Sequence, residues 1–141
     1  MPEALLVLSM LAHAGLSFGL YAALTWARWR AVNSGTQPYA AYELGDGEDR
    51  LAARISANLR NQFEAPVLFH VGALLLLQLD AVGTAAAAAG LVFVAGRVLH
   101  ALVQTLSGDV RLRGLVFTIN FLAVVALWGL IALEMLLKFA P

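Results

Sequence analysis

The 141-residue chain contains no cysteine. That absence excludes a disulfide framework, a thiolate metal site and a cysteine nucleophile. Charge is scarce too, at 13% of residues, where soluble domains carry about 25%. Nine Lys+Arg balance nine Asp+Glu, so no global field draws in nucleic acid or any other strongly charged partner. Histidine is limited to His13, His70 and His100. The three fall on separate segments with no carboxylate at ligand spacing, so no metal site is expected. No internal repeat and no water-soluble domain interrupts the chain.

Apolar residues fill the space. They make up 61% of the sequence, and the mean hydropathy is +0.80. A chain of one-domain length leaves much of its surface exposed. A soluble globule of this size could not hide so much apolar side chain, and a disordered chain would not carry it. The sequence therefore reads as a single membrane domain over residues 1–141.

A helix needs about 20 mostly apolar residues to cross a bilayer. Four segments qualify, at about 4–26, 49–79, 84–106 and 113–137. They are too long for strands and lack alternation, so the predicted fold is an all-α bundle of four transmembrane helices. The first has no basic leader and too long an apolar run for a cleaved signal peptide. Lys and Arg set the orientation. Arg28, Arg30, Arg50 and Arg54 edge the first loop, Arg111 and Arg113 the third, and only Lys138 lies on the opposite side. The first and third loops are therefore expected in the cytoplasm, with both termini across the membrane. The composition is compatible with a bacterial inner membrane.

The long first loop contains a turn-rich stretch from Asn33 to Tyr39. An acidic run of Glu43, Asp46, Glu48 and Asp49 follows, in which Asp46 or Asp49 is a plausible helix cap. The spacing does not fit a calcium loop. Trp26 and Trp29 read as interfacial anchors. Gly83, the alanines 85–89, Gly90 and Gly96 read as a surface for close helix packing.

Polar residues inside the spans are the informative ones, because charges there must face protein or water. In the second span, Arg54, Asn58 and Asn61 fall within about 60° of one another on a helical wheel. Arg60 and Glu64, four apart, form an adjoining stripe. Pro66 should bend this helix below its polar half. Arg97, His100 and Gln104 share a face of the third span, and Arg113, Phe117 and Asn120 line up in the fourth. Each group could simply join helices. Basic groups nonetheless outnumber acids, since Arg54, Arg60, Arg97 and Arg113 face Glu64 alone. Such a cavity suits a small zwitterion with surplus carboxylates, held by guanidinium forks. Its co-reactant would be apolar and would enter from lipid.

The segment from Arg54 to Glu64, Arg-Ile-Ser-Ala-Asn-Leu-Arg-Asn-Gln-Phe-Glu, resembles the second-helix signature of the MAPEG family, the membrane-associated proteins in eicosanoid and glutathione metabolism. Asn61 and Glu64 supply its Asn and Glu three residues apart. Gly96-Arg-Val-Leu-His100 is similar to the family's third-helix motif, and Arg113 stands where a helix-four Arg is common. The four-span layout agrees over essentially the whole chain. This resemblance implies a homotrimer that binds glutathione as co-substrate between neighbouring subunits at the cytoplasmic side. By position, Arg54, Arg60, Asn61 and Glu64 would hold the peptide's charged ends, and Arg28 or Arg30 would reach it from the first helix. Arg97 would anchor it, beside His100 and Gln104, and Arg113 or Arg111 would stabilise the thiolate. The implied activity is a transferase or peroxidase acting on lipophilic electrophiles. Gln104 stands where many catalytic members have Tyr, and Ala57 replaces a basic residue. A non-catalytic trimer binding a lipid or anionic ligand is the alternative. A small proton-coupled exporter is disfavoured, since Arg60 beside Glu64 would hold that carboxylate ionised.

Overall fold

A computed structural model of the chain describes residues 1–43 and 47–140. Its described elements are helices α1 (Pro2–Asn33), α2 (Arg50–Asn61), α3 (Ala65–Gln78), α4 (Thr84–Leu106) and α5 (Val110–Phe139), with a 3-10 turn at Tyr39–Tyr42. α1, α4 and α5 are each long and apolar enough to span a bilayer. Their outer faces carry exposed Leu, Val and Phe, while Arg97, Asn58, Gln62 and Asn120 are buried. That distribution suits lipid outside and polar contacts within. The protein is an all-α, multi-pass integral membrane protein.

α1 runs past its expected end, and at 1.5 Å per residue its 32 residues measure about 48 Å. Trp26 and Trp29 are more than half exposed on its last turns. Gly35 closes the helix at φ +71, a left-handed conformation that glycine adopts without steric cost. The acidic run then leads into α2. Asp49 caps it, its side chain accepting from the Ala52 amide at 2.7 Å, while Asp46 lies outside the described residues.

The segment predicted as one bent helix is two. α2 ends at Asn61, and Glu64 precedes α3 with φ −99 and ψ −109. The cause is Pro66. Inside a continuous helix it would lack an N–H for the Gln62 carbonyl and would clash with it. In the first turn of a new helix that N–H has no partner anyway. The break also undoes the predicted Arg60–Glu64 helical pair, since the two residues no longer share a helix.

α4 is the central element, packed between α1 and α5. Its small residues permit this, as the sequence indicates. Gly90 lies against Leu6 and Ser9 of α1, and a Cβ on Gly96 would sit 2.6 Å from the Cβ of Asn120 on α5. One apolar core joins α1, α3, α4 and α5 through Leu6, Phe69, Leu76, Phe93, Val124 and Leu127. Phe69 and Phe93 stack at its centre, ring centroids 3.9 Å apart. A second cluster sets Leu20, Leu24 and Ala27 of α1 against Ala52, Ile55 and Leu59 of α2. The first holds the spans together. The second fixes α2, and with it the polar face that α2 presents to α4.

Candidate functional site

α2 meets α4 through polar side chains. Asn58 donates to the Ala101 carbonyl and to Thr105 Oγ1, both at 3.0 Å. Arg54 Nη1 donates to the Thr105 carbonyl at 3.3 Å. Asn61 Nδ2 donates to Gln104 Oε1 at 2.8 Å. The predicted Arg54–Asn58–Asn61 face is thus real, and it faces α4.

Arg97 is fully buried. It donates from Nε and Nη2 to Gln62 Oε1 at 3.2 and 2.9 Å. Nη2 also donates to the Asn61 carbonyl at 2.8 Å. The break at Pro66 explains this arrangement. A helix end leaves carbonyls without partners and carries partial negative charge. The guanidinium satisfies one such carbonyl and faces that charge. Gln62 completes the contact, donating through Nε2 to Asn58 Oδ1 at 2.9 Å. Nη1 of Arg97 and Nδ1 of His100 are buried without a partner among the described residues.

Beside this network lie two adjoining cavities. The larger, about 600 Å³, is lined by Ala57, Arg60, Asn61, Glu64, His100, Gln104, Arg113, Gly114 and Phe117. The smaller, about 350 Å³, is lined by Arg50, Arg54, Ser107, Asp109 and neighbours. Ala57, Gln104 and Arg113 border both. Among the described residues no ion pair engages Arg50, Arg54, Arg60 or Arg113, the Arg28–Glu48 pair being the salt bridge that forms. The walls carry those four guanidiniums against the carboxylates of Glu64 and Asp109. Asp109 also caps α5, accepting from the amides of Arg111 and Leu112. Guanidiniums without an acidic partner beside one open carboxylate can hold a small anion that also carries an ammonium group.

The predicted site residues divide into two groups. Arg54, Arg60, Asn61, Glu64, His100, Gln104 and Arg113 line the two cavities, and Arg97 lies directly behind them. Arg111, Arg28 and Arg30 line neither cavity. Arg28 is ion-paired with Glu48 and lies over the Tyr42 ring, 5.4 Å from its centroid. Arg30 stacks on Trp26 at 5.5 Å. Arg113, Phe117 and Asn120 share the face of α5 turned to α4, but Asn120 lies buried beneath Gly96 and lines neither cavity.

Gln62 belongs to the polar set of the second span, yet sequence spacing assigned it no partner and did not single out Thr105, although Gln62 lies one turn after Asn58 and next to the predicted bend. Nor did the histidines stay apart. His13 of α1 and His70 of α3 meet, Nδ1 to Nε2, at 3.0 Å. The available signal was that each is an isolated polar residue in an apolar run, and buried polar groups need partners.

Fold and site together define a polytopic helical membrane protein with a cationic cavity at the end that carries its first and third loops. The MAPEG family's sequence profile matches residues 4–133, and the chain belongs to that family. No curated protein and no solved structure matches it.

Proposed function

We propose that the protein is a glutathione-dependent membrane transferase or peroxidase acting on lipophilic electrophiles. The observation that carries this reading is the cavity bordered by Arg60, Arg113 and Glu64, with Arg54 in the adjoining one, whose guanidiniums have no acidic partner among the described residues. Glutathione has two carboxylates and one ammonium. Its carboxylates match the guanidiniums, and its ammonium matches Glu64. Family membership supports the choice of thiol.

Arg113 is assigned to the sulfur. It borders both cavities, and a nearby guanidinium favours thiolate over thiol. In the transferase reaction the thiolate attacks an electrophilic carbon. A carbon–sulfur bond forms, and the leaving group departs with its electron pair. In the peroxidase reaction two glutathiones are oxidised to the disulfide while a lipid hydroperoxide is reduced to alcohol and water. Arg97 supports the site from behind by holding the end of α2. By family analogy the functional unit is a homotrimer, with the cavities facing neighbouring subunits.

A non-catalytic binding role is the second reading. It is favoured by Gln104, whose carbonyl oxygen is occupied by Asn61 and which has no phenol to offer a sulfur. The two readings separate on one variant. Wild-type protein in detergent should conjugate glutathione to an aromatic electrophile such as chlorodinitrobenzene. Arg113→Ala should lower kcat by at least about 100-fold, the scale on which single groups stabilising developing charge act. Glutathione affinity should fall by less than about tenfold, since Arg54, Arg60 and Glu64 remain. Glutathione binding without any conjugation or peroxide reduction in the wild type would establish the binding role instead. Absence of glutathione binding at millimolar concentration would overturn both the enzyme assignment and its ligand.

A further inference from the structure

A chain of polar side chains leaves the cationic end and runs to the outer surface between α1 and α3. Gln62 Oε1, which accepts from Arg97, lies 3.1 Å from His13 Nε2. His13 Nδ1 in turn lies 3.0 Å from His70 Nε2. The chain has a direction. A guanidinium only donates, so Gln62 must turn its carbonyl oxygen toward Arg97. A carbonyl oxygen only accepts, so His13 carries its proton on Nε2. In a neutral ring Nδ1 is then an acceptor, which makes His70 Nε2 the donor. A neutral His70 therefore keeps a bare lone pair on Nδ1. Charging either ring would set a second cation near the Arg97 guanidinium at membrane depth, a costly arrangement.

That lone pair has somewhere to act. Among the described residues His70 makes its hydrogen bond through Nε2. Its Nδ1, unlike that of His100, is not an enclosed atom without a partner. His70 is half-buried and lines a groove of about 340 Å³ with Phe18, Tyr21, Phe63, Val67 and Val71. This volume falls within the range of small-molecule sites, about 300–1,000 Å³. The lining is almost wholly apolar, and Ser17 is already committed to the His13 carbonyl at 3.1 Å. An apolar groove whose ring-nitrogen acceptor is His70 Nδ1, with the Ser17 and Tyr21 hydroxyls also on its wall, selects for a molecule with a hydrocarbon body and a hydrogen-bond donor.

We propose that this groove is a second binding site, which takes a lipophilic alcohol or phenol from the bilayer. The hydrocarbon lies against Phe18, Phe63 and Val71, and the hydroxyl donates to His70 Nδ1. A molecule of the same shape with an ether in place of the hydroxyl leaves the lone pair unmatched and binds less well. The site needs no thiol, and it stands or falls separately from the glutathione reading.

The test uses the full chain in lipid nanodiscs without glutathione, with nitrogen-15 histidine observed by NMR. Unliganded protein should show neutral His13 and His70, each protonated on Nε2. Titration with para-octylphenol should move the His70 Nδ1 resonance saturably. Its methyl ether should bind about tenfold more weakly, the fold-change of one hydrogen bond, and leave that resonance in place. His70→Leu should erase the preference for phenol over ether. Val71→Trp, on an exposed position, should block binding while preserving both tautomers. A proton on His70 Nδ1, a charged ring at either position, or equal affinity for phenol and ether would overturn the proposal. So would the absence of saturable binding, as when a second copy of the chain fills the groove.

Discussion

A fully buried guanidinium without a carboxylate partner has to justify its desolvation through hydrogen bonds. Arg97 does so with three bonds to Gln62 and the Asn61 carbonyl. Removing it leaves the Asn61 carbonyl without that donor and Gln62 Oε1 with His13 Nε2 alone, in a place where water cannot easily replace the lost bonds. Interhelical hydrogen bonds in membranes average about 0.6 kcal/mol and reach about 1.7 kcal/mol. Arg97→Ala should therefore destabilise the bundle by about 2 kcal/mol, read as a lowered unfolding temperature by circular dichroism in detergent. Arg97→Lys should recover only part of this, because an ammonium cannot reproduce the planar fork that reaches Gln62 and Asn61 together. If Arg97 instead acted only on a bound ligand, Arg97→Ala would leave the ligand-free protein as stable as wild type.

Among the helices, the α4–α5 contact is the most sensitive to volume. A Cβ on Gly96 would meet the Asn120 Cβ at 2.6 Å, whereas one on Gly129 meets nothing within 4 Å. Gly96→Ala should cost about 1–3 kcal/mol through forced separation of the helices. Gly129→Ala should be neutral or stabilise by up to about 1 kcal/mol, by helix propensity alone. Thermal unfolding of the two variants checks both signs. Elements of this kind were legible in advance because small-residue spacing and apolar length are local properties. The span at 84–106 coincides with α4, and Asp49 is the cap that an acid before a helix suggests. Pro66 was legible as a disturbance, though not as a complete break. Bend and break differ in whether the freed carbonyls find partners, and here one partner is Arg97, 31 positions beyond Pro66. The site was readable to the same depth. Helical spacing placed Arg54, Asn58 and Asn61 on one face, and Arg97, His100 and Gln104 on another. It could not tell that Arg28 is engaged by Glu48, or that His13 meets His70, since those contacts depend on how separate helices pack.

For the whole molecule, a net charge of zero conceals a strongly uneven distribution. Arg28, Arg30, Arg50, Arg54, Arg111 and Arg113 border the first and third loops, and Lys138 lies near the other end. The structure brings those two loops to one end, where Gly108 approaches the Arg54 guanidinium. By the positive-inside rule this end, and the cavities with it, is expected on the cytoplasmic side. The proposed chemistry requires the same orientation, because glutathione must enter from water while its co-reactant arrives through lipid. Absence of cysteine allows a clean check, since any thiol introduced is the only one present. In intact cells, a membrane-impermeant maleimide should label Thr84→Cys and Ala140→Cys, both exposed positions on the far side. Thr36→Cys, exposed in the first loop, should react only after the membrane is opened. The reverse pattern would put the guanidiniums on the side away from the cytosolic thiol pool, and the glutathione reading would fail at the scale of the whole molecule even with every side chain in its place.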